Sequence, residues 1–339
     1  MIRIASADDE ERRILFLNTA EKMNINPSIV EKDFWVCLCL DYLFHCSDWK
    51  NCFAFKGGTS LSKAYHAIHR FSEDIDLVLD WHLLGYEDSQ LWEDRSHTKQ
   101  DQYNKRAVQK ASEFLSEKLL PSMEHYFQEN LSRGISLQMD PNDREQCTVN
   151  VYYPHVFSTE YVRQEICLEI GPLAEAVPCH LARIVPFAAE QYPGAFFQPD
   201  TEVKTIDAER TFWEKAIILH KTASSYELKG IPKRYARHYY DLFCLSRTEI
   251  KQKAFNHPEL LDRDIRFKTK FYYSQSASYE TAKIGSIRLV PPAAAVEDLK
   301  EDYVHMKNMI FEGAPDFDEI MDGLSSLERE INGLSLLDR

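Results

Sequence analysis

Between Phe53 and Leu79 the chain reads FAFKGGTSLSKAYHAIHRFSEDIDLVL, and this order of apolar run, paired glycines, helical stretch and acidic strand leaves few folds open. Phe53, Ala54 and Phe55 predict a strand feeding a turn at Gly57 and Gly58. A helix is predicted from Thr59, because Thr59 or Ser60 can cap it and Leu61, Ala64, Tyr65 and Ile68 recur at helical spacing. From Asp74 to Leu79 the alternation sets Asp74 and Asp76 on one face of a strand and Ile75 and Leu77 on the other. The pattern belongs to an α+β fold.

A glycine turn ahead of a helix offers backbone N–H groups, hydroxyls and the positive end of the helix dipole, so Gly57, Gly58, Thr59 and Ser60 are candidates for gripping nucleotide phosphates. Two carboxylates two apart on a strand project together and suit Mg²⁺, or Mn²⁺, as hard oxygen ligands. Either half alone is commonplace, an ordinary turn or a solvated strand end. In this order they describe one face holding a triphosphate and a metal, as in-line attack on an α-phosphorus requires. Within Ile166-Cys167-Leu168-Glu169-Ile170 the alternation turns Glu169 away from the apolar side chains, making it either a third metal carboxylate or half of an ordinary ion pair.

Elsewhere helices are expected over 10–24 and 28–44, broken at Pro27, and over 97–130, interrupted at Pro121. Runs at 135–139, 147–153 and 165–170 predict strands continuing the sheet. The loop QYPGAFFQPD, 191–200, suggests a division of the chain into 1–195, 196–292 and 293–339, with helices over 207–223 and 233–246. On the first of these Phe212, Ala216 and Leu219 form a core stripe with Lys215 on its flank, facing either a phosphate or a helix-surface partner. On the second, Asp241 follows Arg237 by four and by itself reads as a surface ion pair.

The 339 residues carry a net charge of −14, unevenly spread. Residues 297–339 hold 12 acidic against 4 basic side chains, whereas 203–290 hold 17 basic against 10 acidic. Overall acidity disfavours indiscriminate nucleic-acid binding. The basic block, interleaved with Tyr235, Tyr239, Tyr240, Phe267, Phe271, Tyr272 and Tyr273, either follows a phosphate backbone and stacks bases or is a solvated helical surface with its aromatics in the core. The acidic tail would repel RNA from the wrong face, dock on that block, or meet a basic partner. No apolar run reaches the ~18 residues of a membrane span, and the N-terminus shows no export signal, so a cytoplasmic protein is expected. The eight cysteines show no CxxC pairs and are expected to be reduced; Cys37, Cys39, His45 and Cys46 continue an apolar helix more readily than they form a zinc site.

Four ordered blocks, SIVEKDFWVCLCL, FKGGTSLSKAYHAIHRFSEDIDL, ERTFWEKAIILH and RHYYDLFCL, together with TAKIGSIRLVPP, closely resemble the AbiEii family of nucleotidyltransferase toxins over about Pro27 to Pro292. The resemblance implies a polymerase-β-like nucleotidyltransferase core with a small mixed sheet, joined to a mainly helical C-terminal domain. It further implies a toxin of a type IV toxin–antitoxin or abortive-infection system, encoded beside a DNA-binding antitoxin, that moves an NMP from an NTP to the 3′ end of tRNA. By the same resemblance the nucleotide motif falls on Gly58, Thr59 and Ser60, the metal pair on Asp74 and Asp76, and two further essential residues on Lys215 and Asp241, which reverses the surface readings of both. Asp241 would orient Lys215 or the acceptor, or act as a general base. Transfer to a protein side chain, or GTP or NTP binding without transfer, are the rival readings; retention of Asp74, Asp76, Lys215 and Asp241 favours an active transferase.

Overall fold

Seven strands pair into one mixed sheet: β1 (Phe53–Lys56), β2 (Asp74–Leu79), β3 (Ser136–Met139), β4 (Thr148–Tyr152), β5 (Glu165–Gly171), β6 (Cys179–Ile184) and β7 (Thr201–Ile206). Their order is β3-β4-β5-β2-β1-β7-β6, with β2–β5 and β1–β7 parallel and the other pairs antiparallel. The computed structural model describes residues 1–158, 163–311 and 313–334. The sheet is larger than the small one expected, because β6 and β7 add to it. Neither reads as an apolar run: CHLARI exposes His180, Leu181 and Arg183 at a sheet edge, and TEVKTI carries Glu202 and Lys204. Strand pairing, rather than hydrophobicity, defines them.

The chain divides into two units. The sheet unit comprises Met1–Ala64 and Phe71–Ile206, so the 191–200 loop lies inside it, ahead of β7. One face of the sheet is packed by Phe53, Phe55, Ile75, Leu77, Val149, Val151, Ile166, Leu168 and Ile170, in a single core with helices of this unit. Those helices are α1 (Ile2–Ala5), α2 (Asp9–Met23), α3 (Pro27–Asp41), α4 (Gly57–Lys63), α5 (Asp88–Trp92), α6 (His97–Phe114), α7 (Leu120–Asn130) and α8 (Phe187–Gln191). Asn26 caps α3 by accepting from the Ser28 N–H, with Pro27 in the first turn, where its missing donor has no consequence. The expected break at Pro121 is instead a π-helical turn at Leu115–Leu119, and the proline sits in the first turn of the helix that follows.

The helix predicted from Thr59 through Ile68 is corrected. Helix α4 begins at Gly57 and ends at Lys63, so neither Thr59 nor Ser60 caps it, and Ala64 to Ile68 do not continue it. Tyr65–Arg70 instead belong to the other unit, with the chain from Asp207 onward.

This helical unit contains α9 (Ala208–Lys229), α10 (Ala236–Ser246), α11 (Glu249–Asn256), α12 (Glu259–Phe271), α13 (Val296–Met306) and α14 (Phe317–Gly333). A buried Arg210–Asp264 pair, 2.7 Å apart, joins α9 to α12. The acidic tail docks on the basic block. Asp302 accepts from the backbone N–H groups of Arg234 and Ala236 at the start of α10, and Glu328 accepts from those of Leu289 and Val290. Arg247 and Lys251 pair with Glu319 and Glu330. Among the described residues no helix is long and apolar enough to cross a membrane, and all eight cysteines are free thiols.

Candidate active site

The face of the sheet opposite its main core carries the acidic residues. On β2 the alternation leaves Asp74 and Asp76 half-buried while Ile75 and Leu77 enter the core. Parallel pairing with β5 sets Glu169 beside Asp76 and Cys167 beside Asp74, and partners across a ladder share a face. Glu169 is exposed between the buried Leu168 and Ile170, as its alternation predicted. Three carboxylates therefore stand on one face within two adjacent strands.

On the other side of β2, antiparallel β1 ends at Lys56, opposite Asp76, and the chain turns into α4 at Gly57. Gly57 has φ of +79°, in the left-handed region, and a Cβ there would lie 1.9 Å from Asp76 Oδ2. Only glycine meets both demands. Thr59 Oγ1 donates to the main-chain carbonyl of Asp74, and Ser60 Oγ donates to that of Gly57 at 2.9 Å. Both hydroxyl-bearing residues and Gly58 are buried. Thr59 thus ties the turn to β2 while Ser60 bonds within the turn, and the donors the turn can offer outward are first-turn N–H groups, which have no acceptor within the helix.

The donor set fits a hard divalent cation. Asp74 and Asp76 supply adjacent carboxylate oxygens, with Glu169 on the neighbouring strand. Among the described residues no group of three or more His, Cys, Asp or Glu side chains is placed to hold a metal ion, so Glu169 does not complete a three-carboxylate site with Asp74 and Asp76. An ion here would take its remaining ligands from water and substrate phosphates, the usual arrangement for Mg²⁺.

Lys215 and Asp241 form a second cluster, in the helical unit. Lys215 is buried rather than on a flank of α9, and Asp241 is fully buried on α10 rather than paired at the surface. Lys215 Nζ donates to Asp241 Oδ2 at 2.7 Å and lies 3.3 Å from His238 Nδ1. Arg70 grips the same carboxylate with two prongs, Nε to Oδ1 at 2.7 Å and Nη2 to Oδ2 at 2.8 Å. Burial pushes the Asp241 carboxyl up, but Arg70 and Lys215 outweigh it and hold the group well below the usual carboxylate range. Burial likewise lowers His238 far below its ordinary value, reinforced by Lys215 and Arg237, so its Nδ1 accepts from the ammonium. For Lys215 burial lowers the pKa and Asp241 opposes it. An ammonium has three N–H donors, and two here have protein acceptors.

The Asp241 carboxylate has both oxygens engaged, is shut from solvent and is held ionised, which makes it a weak base. Arg70 and His238 were not singled out by sequence reasoning. The available signal was an aspartate beside inward-facing Leu242 and Phe243, which must find a buried cation, but nothing in the sequence says which.

Of the basic block's aromatics, Tyr239, Tyr240, Phe267 and Phe271 are core residues, Tyr235 is half-buried, and Tyr272 and Tyr273 are exposed. Lys268 stands 5.0 Å from the Tyr272 ring. The bland reading holds for most of them.

A strand-borne carboxylate pair beside a glycine turn suits nucleotide chemistry, and comparison with known proteins gives the family. The profile of the family described as "Nucleotidyl transferase AbiEii toxin, Type IV TA system" matches residues 41–323, and the chain belongs to this family. It is accordingly a nucleotidyltransferase toxin, and membership in a toxin–antitoxin family implies a cognate antitoxin. Among solved structures it is similar to MenT4, a nucleotidyltransferase toxin from Mycobacterium tuberculosis, at 16% identity and a TM-score of 0.38, covering 96% of this chain and 99% of that one. It is also similar to JHP933 from Helicobacter pylori, at 14% identity and a TM-score of 0.35, covering 92% and 99%. No curated protein matches the chain in sequence.

Proposed function

We propose that this toxin, built on a polymerase-β-like core and acting in the cytoplasm, transfers an NMP from an NTP to the terminal ribose hydroxyl of tRNA in a reaction dependent on Mg²⁺ or Mn²⁺. The observation that carries this reading is the approach of the Asp76 carboxylate to Gly57, with Asp74 and Glu169 on the same face. In this reading Asp74 and Asp76, with Glu169 beside them, hold the divalent ion, and the backbone following Gly57 receives the phosphates. The ion, when bound, supplies charge neutralisation at the reacting phosphate and lowers the barrier to alkoxide attack. By the family resemblance Lys215 and Asp241 are also essential to the transfer; Arg70 fixes the Asp241 carboxylate, which orients the Lys215 ammonium within the helical unit. The acceptor hydroxyl gives up its proton to solvent, its oxygen bonds to the α-phosphorus, and the bond from that phosphorus to the oxygen bridging the β-phosphate breaks, releasing pyrophosphate.

The RNA-binding surface is assigned to the exposed part of the basic block, with Tyr272 and Tyr273 as stacking platforms. Each α-³²P-labelled NTP, incubated with Mg²⁺, total tRNA and the purified chain, is expected to label tRNA, and Asp74→Ala is expected to abolish labelling. Label on protein bands alone would move the acceptor to a side chain. No label from any NTP would reject the transfer reading.

A further inference from the structure

Glu31, Lys32 and Asp33 are three consecutive charged residues in α3, and all three are buried. A core helix rarely carries such a run, because each charge must be matched after leaving water. Successive residues on a helix point about 100° apart, so the three reach different elements. Glu31 accepts from the backbone N–H groups of Val156 and Phe157, at 2.8 and 3.0 Å. The other two reach the flanks of the candidate site.

Lys32 Nζ lies 2.9 Å from Glu73 Oε2 and donates to the Arg163 carbonyl at 2.9 Å, while Glu73 also accepts from the Arg163 N–H at 3.0 Å. Glu73 directly precedes Asp74, the first residue of the acidic strand. Asp33 Oδ1 lies 2.7 Å from Lys63 Nζ, and Asp33 Oδ2 accepts from the Phe187 N–H at 2.7 Å. Lys63, whose ammonium stands over the Phe187 ring, is the last residue of the helix that begins at Gly57. One rigid helix therefore holds, through adjacent residues, the entry to the carboxylate strand and the far end of the glycine-turn helix. Apolar pairs of similar volume would stabilise the core at least as well. They would lack the directionality that fixes one arrangement.

We propose that Lys32 and Asp33 are positioning residues for the transfer reaction: the Lys32–Glu73 and Asp33–Lys63 pairs set the register of the β2 carboxylates against the Gly57 turn. This rests on the reading that Asp74 and Asp76 hold a divalent ion. Supports behind metal ligands govern affinity, and their loss typically weakens it by about tenfold to a hundredfold.

The test uses the full chain with two neutral double variants, Lys32→Met with Glu73→Gln and Asp33→Asn with Lys63→Met. Each removes both charges and keeps a side-chain acceptor for the backbone N–H. Thermal melting reads the fold, and electron paramagnetic resonance titration of Mn²⁺, with a mixture of non-hydrolysable analogues of the four NTPs, reads the site. Both variants are expected to melt cooperatively, to bind Mn²⁺ at least about tenfold more weakly, and to show a lower kcat with the parental KM for tRNA. Folded variants with parental Mn²⁺ affinity and kcat overturn the assignment. Glu73→Asp keeps the charge and shortens the arm by one carbon, so it reports position even if a neutral pair fails to fold; parental Mn²⁺ affinity there overturns it equally. A parent chain that neither binds Mn²⁺ nor labels RNA rejects the metal reading, and this inference with it.

Discussion

The two acidic clusters hold the same side chain in opposite surroundings. On the sheet face Asp74 and Asp76 are half-buried, with the exposed Glu169 beside them. In the helical unit Asp241 is sealed in, with Arg70 and Lys215 supplied by the fold itself. A half-buried carboxylate keeps part of its hydration, whereas a fully buried one needs a countercharge from the fold. Removing a carboxylate should therefore affect chemistry in one cluster, and both chemistry and stability in the other.

The largest expected effect is Asp76→Ala, which should lower kcat by about 10³-fold or more, as loss of a metal-binding group in such a site would, with melting close to that of the parent. A folded Asp76→Ala chain retaining transfer would break the comparison outright. Next, Asp241→Asn leaves two buried cations without their carboxylate and should cost about 3–5 kcal/mol in denaturant unfolding. A stable Asp241→Asn chain would place this cluster in the same class as the sheet face.

Gly57→Ala sharpens the first half of the contrast. Its methyl must displace the Asp76 carboxylate, and φ of +79° is strained for alanine. Transfer should fall by about 10²-fold, with only about 1–2 kcal/mol lost in stability, as measured by kinetics and melting on one preparation.

The smallest effect separates the units by pH. Burial pushes the Glu31 carboxyl up to about 7 from its ordinary 4.5, against its two backbone donors and then Arg12 and Arg13. The folded state thus retains a proton that the unfolded chain releases. That stability is fully present below about pH 4.5 and is lost as pH rises to about 7. For Asp241 the shift is downward, so its contribution is present at neutral pH and is lost only as pH falls below the usual carboxylate range. Glu31→Gln should flatten the unfolding profile between pH 4.5 and 7; an unchanged slope there would remove Glu31 as its cause.

Much of the sheet unit was legible because its signals are local. Asp74–Leu79 is a strand over the span the alternation predicts, and Glu169 lies on the face that alternation assigns it. The start of α4 was not, because a glycine with positive φ opens the helix and the hydroxyls of Thr59 and Ser60 bond to carbonyls instead of capping it. β6 and β7 escaped notice since edge pairing, not an apolar run, makes them strands. The helical cluster was the least legible. Asp241 lies four residues after Arg237, the partner that spacing suggests, yet it is held by Arg70, 171 positions away in the chain.

What the residues determined by themselves was everything set within a few positions: the strand alternation, the glycine turn, the pairing of Asp74 with Asp76, and the charge division between the basic block and the tail. Only the tertiary structure decided which buried charges meet, that Glu31, Lys32 and Asp33 each hold a different element, and that the tail docks on the block before it. The reason is physical. Backbone periodicity is a local property written into neighbouring side chains, whereas a buried charge is satisfied by whatever the fold brings to it, at any distance along the chain.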